Sequence, residues 1–330
     1  MRHPRLSAAA DAAGAGQAGT QALPPLLAVA HGSTDPRAAA TIAALMRLAG
    51  QLAARSGLPA LDARTAYLGH SPPSVSQVLG ALAAPGRACP VPAARDRRIV
   101  VLPLLLTAAY HSEIDLPALL AGAAGAHPGL SLRYGDPLGP HPLLLRALDR
   151  RLAERGAPAA RARTNPGITQ PAAPVPDGRR SPRAGPLPGS PAGPLPGSPG
   201  EIAVVLASAG SRHPGANAAI AGAAARWRAA RGWRAVVPAY AAAGSPTPAE
   251  AVSALRRGGA PAVVVATYLL APGRFADQVA ESSLAAGAAA VSGALGAAPE
   301  VARLVLLRYA AAIARPGRMA GAWQGISASR

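Results

Sequence analysis

Two histidines carry the chemistry that this chain can be expected to do. His31 ends an apolar run over residues 25–30 and is followed by Gly32 and Ser33. His111 follows a second apolar run over 99–106, which continues through Thr107, Ala108, Ala109 and Tyr110. Short apolar runs of this kind read as strands buried on both faces, as in parallel sheets. Open α/β sheets bind ligands outside the carboxyl ends of their strands, so both imidazoles are expected at that edge. Imidazole suits divalent iron, cobalt, nickel or zinc, and the neutral ring is a base near pH 7. The expectation is a metal or proton-transfer site. A lone His-Gly-Ser is as readily a structural turn, with Gly32 permitting the bend and Ser33 or Thr34 capping a helix from about Ala38. The second strand-end histidine shifts the reading toward chemistry.

Other groups flank this pair. Glu113 and Asp115 fall at the start of the helix after His111, where carboxylates suit the positive end of the helix dipole. They could orient His111 or help to hold a cation. His70 follows the intervening strand and is expected to face the same cleft. His141, between Pro140 and Pro142, reads as structural, and His3, His127 and His213 have no supporting context.

The elements that must position these residues occur twice. Residues 23–155 and 201–314 each read as strands alternating with Ala-rich helices, which implies α/β lobes with mostly parallel sheets flanked by helices. The openings LLAVAHGSTDPRAAATIAALM (26–46) and IAVVLASAGSRHPGANAAIAGAA (202–224) match. So do RTAYLGHSPPSVSQVLGAL (64–82) and VPAYAAAGSPTPAEAVSAL (237–255), and the runs 98–120 and 262–284. Each half reads β-α-β-α-β-α, with a further strand possible over 130–134. In the second half Ala209 stands where His31 stands, and Phe275 near the place of His111. Residues 156–200 form a Pro/Gly-rich linker, expected to be disordered or partly extended, with the octapeptide AGPLPGSP in tandem at 184–191 and 192–199. Residues 1–22 read as a disordered tail and 315–330 as a second tail.

Composition narrows the function. The chain has 330 residues, half of them hydrophobic and 3% aromatic, so its cores must be built from Ala, Leu and Val. Cys89 is the sole cysteine, which excludes an internal disulfide framework and a cysteine-only metal site and fits a reducing cytoplasm. The amino-terminal stretch lacks the apolar core of a signal peptide, and no run is long and apolar enough to span a membrane. The net charge is +18, and every basic residue is Arg. A coding bias toward Ala, Arg, Gly and Pro would explain this, as would a polyanionic partner. A nucleic-acid partner is disfavoured, because no recognition motif or interleaved aromatics accompany the charge. A Walker-type phosphate loop is absent, so ATP is not implied.

The first half resembles the sirohydrochlorin chelatase family, the class II chelatases. The residues that carry the likeness are LLAVAHGSTDPRAAATI (26–42), AAYHSEIDLPALL (108–120) and GDPLGPHPLLLRAL (135–148). The second half is similar more weakly, as in two-lobed members. The resemblance implies a lyase of the cytoplasm that inserts Fe2+ or Co2+, as substrate, into sirohydrochlorin for sirohaem or cobalamin, without an organic cofactor. It implies that His31 and His111 bind the metal and act in catalysis. Many relatives carry an acidic residue after the middle strand, where this chain reads Leu68-Gly69-His70, so His70 or Glu113 is the expected substitute ligand. Ser33, Arg212 and Arg274 are the expected substrate contacts, since the substrate carries eight carboxylates. The second lobe is expected to complete the cleft of a pseudo-two-fold monomer. The alternative is a metal or tetrapyrrole carrier without turnover. A phosphate-handling enzyme using the His-Gly-Ser turn as an anion site is a third reading, disfavoured by the missing phosphate loop.

Overall fold

The computed structural model describes residues 23–84, 97–107, 114–158 and 195–315. His111, Glu113, residues 1–22 and 316–330, and the linker from 159 to 194 lie outside the described residues. In the first half, strands β1 (Leu26–Ala30), β2 (Ala63–Tyr67), β3 (Arg97–Pro103) and β4 (Leu130–Tyr134) alternate with helices α1 (Pro36–Arg55), α2 (Val75–Ala83), α3 (Leu116–Ala126) and α4 (Pro142–Ala153). The second half repeats this with β5 (Ile202–Gly210), β6 (Ala235–Ala243), β7 (Ala262–Tyr268) and β8 (Ala290–Val291). Its helices are α5 (Pro214–Arg231), α6 (Pro248–Arg257), α7 (Arg274–Ala285) and α8 (Pro299–Ala314). Both sheets are parallel, ordered β2-β1-β3-β4 and β6-β5-β7-β8. The strand expected over 130–134 is present, and each half gains a closing helix.

Local chemistry explains the boundaries. Proline opens α1, α4, α5, α6 and α8, where its missing N–H costs no helical bond. Reciprocal capping boxes start α2 (Ser74 with Gln77) and α6 (Thr247 with Glu250) at matching points of the repeat. Helix α1 corrects one expectation: its cap is Asp35, whose side chain accepts from the Arg37 N–H, and neither Ser33 nor Thr34. Residues on β1 alternate between two cores. Leu26, Ala28 and Ala30 face one, and Leu27 and Val29 face the other.

The first of these cores is shared by the two halves. It joins α1 and α4 to α5 and α8, and β1 to β5 and β7. Helix α8 packs on α1 and on β3 of the first half, while α4 reaches β7 of the second. Each half thus lends its last helix to the other, and the two halves form one body. Polar contacts stitch the same interface. Arg150 meets Glu300, the Arg151 guanidinium donates to the Leu295 carbonyl, and Arg315 meets Asp136.

Asp149 is the most enclosed of these contacts. It accepts from the Trp227 indole at 2.9 Å and from two guanidinium nitrogens of Arg231 at 2.6 and 2.8 Å. Burial pushes its pKa above the usual carboxylate value, against the pull of Arg231. Asp149→Ala strands the Arg231 charge and the indole N–H, and should cost about 3 kcal/mol. Urea unfolding checks this, and a loss under about 1 kcal/mol would show that the cluster is not an interface anchor. Among the described residues no helix is long and apolar enough to cross a membrane.

Candidate active site

The sheet order places His31. From β1 the chain passes through α1 to β2 on one side, then through α2 to β3 on the other. The carboxyl ends of β1 and β3 therefore flank a topological switch point, where neighbouring loops diverge and leave a crevice. His31 follows β1 directly and its side chain is exposed there. Gly32 makes the turn possible: its φ is +92°, and a methyl group on it would lie 1.7 Å from the Gly69 carbonyl oxygen.

That close approach brings the loop after β2 against the loop after β1. The Leu68 N–H donates to the Ala30 carbonyl at 3.0 Å and the Gly69 N–H to that of His31 at 3.1 Å. The Ser71 hydroxyl donates to the Ser33 carbonyl at 2.6 Å and accepts from the Ser33 N–H at 3.1 Å. The His70 ring consequently stacks beside His31, with centroids 6.2 Å apart and planes 16° from parallel. His70 has φ +62°, an uncommon conformation for a side chain of its size. His31, His70, Asp115, Leu119 and His127 line one cleft of about 740 Å³, within the size range of small-molecule sites.

Sequence reasoning located His31 and His70 at this cleft but passed over His127, which ends α3 beyond the small residues Ala118, Gly122 and Ala126. Asp115 stands at the start of α3, and its side chain makes no capping bond. His141 has the structural role expected of it, its Nδ1 accepting from the Leu143 N–H at 3.2 Å to cap α4. The segment that leads from β3 toward His111 is held at three points. The Leu104 N–H donates to Val29, the Gly139 N–H donates to Leu105, and the Tyr268 hydroxyl of the second half donates to Leu106. Burial pushes the Tyr268 pKa up, so this hydroxyl stays a donor. Among the described residues no group of three or more His, Cys, Asp or Glu is placed to hold a metal ion.

Across the interface, Gly273 lies against the His31 turn. A methyl group on it would sit 3.6 Å from the Ser33 hydroxyl and 3.9 Å from the Asp35 Cβ. Arg37, which sequence reasoning did not single out, donates to both Asp35 and Asp277 and so joins the cap of α1 to α7. Its hydrogen bonds hold the Asp35 carboxyl below the ordinary carboxylate range. Arg212 and Arg274 are exposed. The second half copies the turn with Ala209 in the place of His31: Gly210 has φ +81°, and a methyl group there would lie 2.0 Å from the Ala243 carbonyl oxygen.

The duplicated parallel α/β fold, two lobes of four parallel strands flanked by helices, is that of solved chelatases. The CbiX family model matches residues 25–155 and 203–312, and the chain belongs to that family, the sirohydrochlorin chelatases. It is 36% identical over 92 residues to the sirohydrochlorin cobaltochelatase of Priestia megaterium, a stretch covering 28% of this chain and 27% of that relative. SirB from Bacillus subtilis with Fe3+ has the same fold, with a TM-score of 0.64 at 20% identity over 89% of this chain and 96% of that one. The sirohydrochlorin chelatase SirB from B. subtilis subspecies spizizenii in complex with cobalt gives 0.61 at 18%, over 89% and 97%. CbiX, described as the terminal enzyme of siroheme biosynthesis in denitrifying bacteria, gives 0.52 at 19%, over 87% and 98%.

Proposed function

We propose that this protein is a lyase that inserts Fe2+ or Co2+ into sirohydrochlorin, for sirohaem or cobalamin, acting as a monomer with its site in the first half. The observation that carries the reading is the His31 imidazole, placed at the switch point beside a second imidazole in a cleft of about 740 Å³. His31 and His111 hold the incoming metal. Neutral nitrogen ligands displace part of its water shell without adding negative charge, so the ring nitrogens can compete for it. Two pyrrole protons must leave as the metal enters, and a histidine is a suitable acceptor near neutral pH. His70, stacked on His31, is the third imidazole available to either step, with Glu113 the alternative ligand. Ser33, Arg212 and Arg274 bind the substrate's carboxylates.

Anaerobic conversion of sirohydrochlorin, followed by its absorbance change with each metal, tests the reading. Many turnovers per protein molecule are expected with one of the two ions, and the preferred ion assigns the pathway. Conversion that stops at one equivalent would replace the enzyme by a carrier. The Arg contacts make a further demand on the same assay. Raising ionic strength from about 0.1 to 1 M shortens the screening length from ~10 to ~3 Å, so KM for sirohydrochlorin should rise several-fold. A salt-insensitive KM would remove the arginines from substrate binding.

A further inference from the structure

We propose that His127 is a substrate-recognition residue, whose imidazole donates to a carboxylate on the rim of the tetrapyrrole while the centre of the ring lies at His31 and His70. The proposal rests on the chelatase reading above. His127 lines the same cleft as His31, His70 and Asp115, all of them residues of the first half. Its backbone is fixed on both sides. The His127 N–H donates to the Ala123 carbonyl at 3.0 Å at the end of α3, and the His127 carbonyl accepts from the Leu130 N–H at 2.9 Å where β4 begins. Its ring reaches across to α2, where Nε2 would lie 3.9 Å from a methyl group on Gly80. Gly80 is four residues on from Ser76, which lines the cleft too, so only about 6 Å of helix separates them at ~1.5 Å per residue. The third imidazole thus stands about one helical turn along α2 from Ser76.

The rest of the lining identifies what it binds. The metal enters at the centre of the ring, whereas the carboxylates stand on its rim, so their donors must be set apart from the imidazoles that serve the metal. His31 and His70, stacked with centroids 6.2 Å apart, are those imidazoles, and His127 is the one set apart. All 33 basic residues of the chain are Arg, yet none of the described residues that line this cleft is one. Its other polar side chains are Ser76 and Asp115, and the remainder is Ala, Gly and Leu. A carboxylate arm brought into such surroundings is costly unless it is hydrogen-bonded. His127 supplies one N–H as the neutral ring and two as the cation, and its bond to an anion is of the stronger, charge-assisted kind. Small residues at Ala118, Gly122 and Ala126 leave room for the arm. Among the described residues no three of His, Cys, Asp or Glu are placed to hold a metal ion, which keeps His127 out of a ligand set with His31 and His70.

Binding of metal-free sirohydrochlorin to the full chain, titrated anaerobically through the ligand's own absorbance and fluorescence, tests this. His127→Ala should weaken the Kd about tenfold, the worth of a hydrogen bond to a charged group. His127→Gln keeps a side-chain N–H and should bind within about threefold of wild type, whereas His127→Phe keeps a ring without a donor and should be as weak as His127→Ala. Binding of Co2+ alone should be the same in all four proteins, and thermal melting checks that each is folded. A His127→Ala Kd within about twofold of wild type, or a His127→Phe variant that binds like wild type, overturns the recognition role and leaves the chelatase reading intact. Weaker Co2+ binding by His127→Ala would make the residue a metal ligand and overturn that role as well. Wild-type protein that binds no sirohydrochlorin overturns both readings.

Discussion

Replacing His31 with alanine should lower the turnover of metal insertion by at least about 100-fold while leaving the fold intact, because general acid–base groups alone contribute about 10²–10⁴. The exposed side chain fills no core, so its removal leaves no cavity. What goes is the imidazole at the crevice between the β1 and β3 ends, with its stacked partner His70 left behind. The informative readout is kcat at saturating substrate and metal together with the melting temperature. A variant that melts with wild type and turns over at a hundredth of its rate or less places the chemistry at this histidine. Activity within about fivefold of wild type would move the site away from the first half's switch point, and the proposed mechanism would fall with it.

Gly32→Ala should be the most damaging single-methyl change near the site, costing more than about 4 kcal/mol, a range reserved for a few drastic mechanisms. Two penalties combine. At φ +92° a side chain is strained, and the added carbon would sit 1.7 Å from the Gly69 carbonyl oxygen, so the loops must part. Parting them breaks the Gly69 to His31 hydrogen bond and the two Ser71 to Ser33 bonds, which hold His70 beside His31. Gly210→Ala is the matched control, since a methyl group there meets the Ala243 carbonyl oxygen at 2.0 Å in the half where Ala209 takes the place of His31. Chemical unfolding should show similar losses for the two, whereas turnover per folded molecule should collapse only for Gly32→Ala. A Gly32→Ala protein within about 1 kcal/mol of wild type would mean that the loops separate freely and do not define the site.

The strand end that carries His31 was legible because its signals are local. An apolar run, a glycine that can turn and a histidine in sequence predict a strand end with an imidazole on it, and β1 with His31 is what the structure holds. The duplication was legible for the same reason, since matching caps and turns recur at matching positions, as at Ser74 and Thr247. His127 was not, because nothing next to it announces that α3 runs along the cleft with small residues beneath it. Arg37 was one arginine among many until the fold set it between Asp35 and Asp277.

By itself, then, the sequence determined two parallel α/β halves and the sheet end at which His31 and His70 stand. Hydrophobic runs, helix caps and turn residues act over a few neighbouring positions and can be read one segment at a time. Only the tertiary structure decided that α4 and α8 cross into the opposite halves, that His70 stacks on His31, and that Gly273 and Asp277 of the second half dock against the His31 turn and Arg37. Each of these depends on how distant segments dock, and docking is set by the shape and charge of whole surfaces rather than by any residue's neighbours in the chain.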